Sequence, residues 1–249
     1  MNINLAKILA VSALAVSGAA FAQAKPAVPD YTLSYNVGAV TDYRYRGISQ
    51  SGKKPALQGG ADFAHKSGVY AGAWASTITW IKDSGANLKG PVEVDLYAGY
   101  KGAINDALSF DVGGLQYWYV NNNYKNVASN ANTFELYGAL SAGPVTAKYS
   151  QSLTDLFGTV NSKGSGYLDL SATFDLGNGF SVVPHLGRQS IKNFTSYTDY
   201  SLALNKDIDG LVLSATVIGT NKKNFFVLPG SGSKDLGGTT LVLGIKKNF

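Results

Sequence analysis

A chain of 249 residues without a cysteine has no disulfide framework, no thiolate metal site and no cysteine nucleophile. Only 15% of its residues are charged, and beyond the leader no apolar run approaches the about eighteen residues of a spanning helix. That excludes membrane helices but not membrane strands, and a net charge of +5 on an exported chain does not point to nucleic acid.

The first element is a leader. Lys7 precedes an apolar run from Ile8 to Ala20, and cleavage motifs follow at Ala20-Phe21-Ala22 and Ala22-Gln23-Ala24. These predict a Sec signal peptide over residues 1–24, cut after Ala22 or Ala24, ahead of a mature domain over 25–249. Alternation then begins. Tyr31, Leu33, Tyr35, Val37 and Ala39 share one face, with Thr32, Ser34, Asn36 and Gly38 on the other. A polar loop over Asp42–Lys54 leads to a second strand, in which Leu57, Gly59, Ala61 and Phe63 oppose Gln58, Gly60 and Asp62. A third strand over Val69–Thr79 alternates too weakly to fix its register.

The fourth strand sets Val92, Val94, Leu96, Ala98 and Tyr100 against Glu93, Asp95, Tyr97 and Lys101. A one-residue slip would place Glu93 and Asp95 in lipid, so the charged face must look inward. In the fifth strand, Ala107–Val120, a bulge is expected at Gly113-Gly114 that turns Leu115, Tyr117 and Tyr119 outward. The sixth opposes Phe134, Leu136 and Leu140 to Thr133, Glu135, Tyr137 and Ser141, and Gly143-Pro144 turns the chain into a seventh over Val145–Asp155. Leu168, Leu170, Ala172 and Phe174 mark the eighth. A hairpin turn at Gly177-Asn178-Gly179 leads to the ninth, Phe180–Arg188, where Pro184 predicts a bulge. Strands over Thr198–Leu204 and Leu211–Thr220 follow. The last, Thr239–Phe249, carries Leu241, Leu243 and Ile245 on one face and ends on an aromatic residue.

Long polar loops alternate with short turns, and the strand count is even. Both are features of outer-membrane barrels. The expectation is therefore an all-β fold, a transmembrane antiparallel up-and-down β-barrel of about twelve strands. Its last strand pairs with the first, and Phe249 stands at the periplasmic rim as a signal to the barrel-assembly machinery. Lys247 breaks the apolar face but lies near that rim, where a lysine stem can snorkel. Tyr31, Tyr35, Tyr100, Tyr117 and Phe249 are expected in aromatic girdles.

The run Thr41–Ser51, the strand Val92–Tyr100, the stretch Phe134–Gly138 with its Gly143-Pro144 turn, and His185–Gln189 together resemble the TorF porin family of Gram-negative bacteria. The resemblance covers nearly all of the mature chain. It implies an outer-membrane porin and carries no catalytic residues.

Two groups of side chains are candidates for function. The inward faces hold Asp62, Glu93, Asp95, Asp111, Glu135, Asp169 and Asp199, with Lys101, Lys148 and Lys246 beside them. They form either a cation-favouring lumen or charges that compensate one another across strands. The long loops carry Arg44, Arg46, Lys53, Lys54, Lys82, Lys89, Lys125, Lys163, Lys192, Lys222, Lys223 and Lys234. That collar is expected either to meet lipopolysaccharide phosphates or to be a solvated surface, and Arg44 and Arg46 either fold over the mouth or pair lumen acids. Enzyme signals are poor. Gly47–Ser51 misses the nucleophile elbow, Gly230–Lys234 lacks phosphate-loop spacing, and Asp207–Gly210 is too short for a calcium loop. The expected function is passive diffusion of small hydrophilic solutes, mildly favouring cations, with no cofactor and no metal. The alternatives are a non-conducting structural or adhesion barrel and, third, a lipid hydrolase.

Overall fold

The computed structural model describes residues 29–222, 224 and 226–249. The expected leader and Lys223 lie outside the described residues. Fifteen strand segments follow in chain order: β1 Tyr31–Val40, β2 Arg44–Tyr45, β3 Ile48–Ser49, β4 Ala56–His65, β5 Val69–Thr77, β6 Val92–Asn105, β7 Leu108–Tyr119, β8 Thr133–Ala142, β9 Val145–Ser152, β10 Gly166–Ala172, β11 Phe174–Gly177, β12 Phe180–Ser190, β13 Tyr197–Ile208, β14 Leu211–Thr220 and β15 Thr240–Asn248. The short β2 and β3 pair only with each other. The other thirteen form one antiparallel sheet in which β1 pairs with β15. Since β10 and β11 are two parts of one strand, this is the expected closed barrel of twelve strands.

The bilayer explains the faces. Leu33, Leu57, Leu168, Leu202, Leu241 and Leu243 are each about half exposed or more, on outward positions of β1, β4, β10, β13 and β15. A belt of that extent is stable only against hydrocarbon. Two lysines interrupt it near the short-turn rim. Lys247 Nζ donates to the Asp209 carbonyl at 2.7 Å, and the Lys206 ammonium lies 4.3 Å from the centroid of the Phe180 ring. Tyr31, Tyr35, Tyr100 and Phe249 are exposed at the same end of the wall, as a girdle requires.

Three local expectations are corrected. β7 runs in unbroken register through Gly113 and Gly114, so Tyr117 and Tyr119 keep the inward face of Asp111 and are buried; Tyr117 is not a girdle residue. The only register shift between β6 and β7 lies lower, between Ala103 and Asn105. Gly113 makes room for an aromatic ring instead of a bend: a Cβ there would stand 2.5 Å from the Tyr137 hydroxyl. Pro184 also causes no bulge. β12 stays in register with β13 through the Pro184–Leu202 pair, and the missing N–H interrupts only the ladder on the other side, at Thr173 between β10 and β11. β5, whose register the sequence leaves open, points Tyr70, Gly72, Trp74 and Ser76 inward.

The six connections at one end are long: L1 (41–55), L2 (78–91), L3 (120–132), L4 (153–165), L5 (191–196) and L6 (221–239). L2 opens with the one-turn helix α1, Trp80–Asp83. The wall has lipid outside and polar groups inside, so the apolar core sits under these loops. It comprises Tyr43, Ala56, Ile78, Ile81, Leu88, Tyr117, Tyr119 and Ala131.

Candidate functional site

L1 does not stand above the barrel. β2 and β3 form a hairpin whose two-residue turn is Arg46-Gly47, both with positive φ (46° and 79°). This backbone suits Asn-Gly or Gly-Gly; arginine in the first position is disfavoured sterically. Compensation comes from what the side chain reaches. Arg46 Nη2 donates to Glu135 Oε2 at 2.7 Å and Nη1 to Glu135 Oε1 at 3.0 Å, a two-pronged pair. Nη1 also donates to Gln189 Oε1 at 2.6 Å, and the guanidinium lies 4.1 Å from the centroid of the Tyr167 ring. One side chain from L1 thus spans the lumen to β8, β10 and β12. Beside it, Gly47 packs on the wall so closely that a Cβ would lie 2.7 Å from the Asp199 Cβ and the Thr220 Cγ2.

The charges on this loop are buried and paired. The Arg46 and Glu135 side chains are 5% and 2% exposed. Burial disfavours the Arg46 charge, yet Tyr45, Glu135 and Tyr117 around it hold its pKa above the ordinary arginine range. Burial, and then the charges of Glu93 and Asp95, push the Tyr43 hydroxyl well up, so it stays a donor, to Glu93 Oε1 at 3.1 Å. Tyr45 is likewise pushed up by burial and bonds Tyr117 through its hydroxyl. Arg44 anchors the hairpin from the other side. Its Nε donates to Asp42 at 2.7 Å, and its Nη1 to the carbonyls of Gly47, Leu236 and Gly238 at 2.8–3.0 Å. With side chains 2% and 5% exposed, Arg44 and Arg46 are turned into the barrel and cannot reach lipopolysaccharide.

The strand register arranges the remaining candidates. Lys101 stands opposite Asp111, Asp111 opposite Ala139, Ala139 opposite Lys148 and Lys148 opposite Asp169; Gly187 then separates Asp169 from Asp199. The wall thus carries a row in which basic and acidic groups alternate up to Gly187. Lys148 Nζ also lies 3.9 Å from the centroid of the Tyr137 ring. Asp111 accepts from Tyr70, and Asp62 accepts from Tyr97. The tyrosines lie against glycines of the adjacent strand, where Cβ atoms on Gly72 and Gly99 would collide with Tyr97 and Tyr70. Glu93 and Asp95 differ from the rest. Glu93 Oε2 and Asp95 Oδ1 are buried without a hydrogen-bond partner, and neither residue forms an ion pair among the described residues.

Folding also assembles a cluster that sequence spacing hides. His185 Nε2 lies 2.8 Å from Asp169 Oδ2 and 3.2 Å from the Tyr167 hydroxyl, which itself donates to Asp199 at 3.1 Å. The one signal for it is the Gly177-Asn178-Gly179 turn, which brings Asp169 and His185 onto the same face of adjacent strands. No group of three or more His, Asp or Glu side chains among the described residues is arranged to hold a metal ion.

The model of the Gcw_chp family, described as a bacterial protein of unknown function, matches residues 23–249. The chain belongs to this family. No curated protein matches. Among solved structures, the KdgM porin is similar with a TM-score of 0.56 at 10% identity, covering 87% of this chain and 99% of that chain. The KdgM porin in complex with disordered oligogalacturonate gives 0.55 at 8% identity, covering 87% and 98%. The NanC porin gives 0.53 at 12%, covering 88% and 99%. At these identities the likeness is one of fold: an outer-membrane, porin-like barrel.

Proposed function

We propose that the protein is an outer-membrane porin through which small hydrophilic solutes diffuse passively, with L1 setting the constriction. The observation that carries this reading is a barrel interior lined by polar and charged side chains and crossed by the Arg46–Glu135 pair. The resemblance of Thr41–Ser51 to the TorF porin family supports the same reading. Liposome swelling with solutes graded in size and charge tests it. Small solutes should enter, with rates that fall steeply with size. Liposomes that swell with no solute would refute it.

Mild cation preference is part of the proposal, and it rests on Asp62, a half-buried lumen acid with no ion pair among the described residues. Glu93 and Asp95 lie under Tyr43 with buried oxygens unmatched, surroundings that favour neutral carboxyls and leave them no part in selectivity. Asp62→Asn should weaken the cation preference in reversal-potential measurements under a salt gradient, with the single-channel current otherwise kept. An unchanged reversal potential would remove Asp62 from selectivity. The buried L1 favours one alternative, a non-conducting structural barrel, and conductance separates the two. We further propose that the loop lysines, without Arg44 and Arg46, meet lipopolysaccharide phosphates, and that Phe249 addresses the assembly machinery.

A further inference from the structure

Among the loops lies a second concavity of ≈ 390 Å³. Tyr45, Ile48, Trp80, Phe157, Ile191 and Leu228 are among the residues that line it, so L1, L2, L4, L5 and L6 all contribute. Among the described residues, no Lys, Arg, His, Asp or Glu side chain lines it. Its few polar side chains are largely engaged elsewhere. Gln189 accepts from Arg46 and donates to the Gly166 carbonyl, Ser49 Oγ donates to Asp42, and Gln50 Nε2 donates to the Ile48 carbonyl. An ion entering this space would lose hydration without meeting an opposite charge among the described lining residues.

The concavity is also preformed. Trp80 meets Tyr119 edge to face at 5.2 Å, and Tyr45 meets Phe157 in the same way at 5.7 Å. Main-chain hydrogen bonds tie L1 to L6 and L2 to L1, Ser49 N–H to the Leu236 carbonyl at 2.9 Å and Trp80 N–H to the Gln50 carbonyl at 3.1 Å, and Leu236 N–H to the Phe226 carbonyl at 2.8 Å closes L6 on itself. On L4, Asp155 Oδ1 accepts the N–H of Ser162 at 2.9 Å and of Lys163 at 3.1 Å, which fixes the loop that carries Phe157. A ligand therefore meets rings already held in place, so little ordering opposes binding. The volume lies within the range of small-molecule pockets, about 300–1,000 Å³.

We infer that this vestibule binds one neutral, mainly apolar small molecule, seated on the β2–β3 hairpin. The occupant differs in chemistry from the hydrophilic solutes of the lumen, and the site stands whether or not the barrel conducts. The test titrates N-phenyl-1-naphthylamine, a neutral fluorophore, into the barrel in lipid nanodiscs, with empty nanodiscs as the baseline. The expected result is a saturable component of one probe per barrel above linear partitioning. Ile191→Glu and, separately, Val227→Glu should weaken it about tenfold or more by placing a charge in the lining. Heat-modifiable migration checks the folding of each variant, and the lipid-face variant Leu204→Val should bind as the parent does. Partitioning equal to empty discs, or saturable binding unchanged in the folded glutamate variants, would overturn the inference.

Discussion

Arg46→Ala should widen the channel, raising single-channel conductance roughly two-fold or more and shifting selectivity toward cations. The guanidinium that reaches Glu135, Gln189 and the Tyr167 ring would be gone, and Glu135 would face the lumen unpaired. Glu135→Gln should act in the opposite direction on selectivity. Arg46 keeps its bond to Gln189 and its place against Tyr167, so the aperture stays narrow while its charge loses compensation. The reversal potential should therefore move toward anions with little gain in conductance. Each single change also leaves one charge buried alone, for which about 3–5 kcal/mol of destabilisation is typical. Heat-modifiable migration should fall accordingly in both, and an apolar replacement of both partners should restore much of it. A constriction set by backbone alone would leave both reversal potentials where they started.

Leu243→Lys should prevent assembly of most of the protein, whereas Lys247→Leu should be nearly silent. Both positions face outward on β15, two turns of the pleat apart. Leu243 is half exposed in the apolar belt, beside Ala215 of β14. A lysine at mid-bilayer costs roughly 2–4 kcal/mol, and near the interface about 0–1. Lys247 already lies at the rim with its ammonium on the Asp209 carbonyl, so its loss removes one exposed hydrogen bond. The fraction of heat-modifiable protein recovered from outer membranes measures the difference. Equal recovery of the two variants would refute the register that places Leu243 in the belt.

The wall of the barrel was legible because lipid imposes one rule on every strand. An inward charge cannot be slipped outward without a cost of kilocalories, so Glu93 with Asp95, or Glu135 beside Leu136, declares its face locally. Closure between the first and last strands followed from the same pattern. Two readings failed where a residue had a second use. Gly113 looked like a place for a bend but leaves space for Tyr137 across the strand pair. Pro184 interrupts the ladder to β10 and β11, and the register is the same on either side of it. The contact that L1 makes across the lumen was hardest to see. Arg46 and Glu135 are 89 residues apart, and no local pattern pairs them. The available clue was Tyr45-Arg46-Gly47-Ile48, an X-Gly turn between alternating residues, which marks a hairpin. Nothing in that clue says that the hairpin turns into the barrel; the packing of Gly47 on Asp199 and Thr220 does.

The proposed pore is a conducting barrel whose aperture Arg46 sets. Planar-bilayer recording of the purified protein beside Arg46→Ala tests it most directly. Discrete steps with a mild cation preference are expected from the parent, and larger, more cation-selective steps from the variant. Folded protein that is silent in both forms across repeated reconstitutions would contradict it.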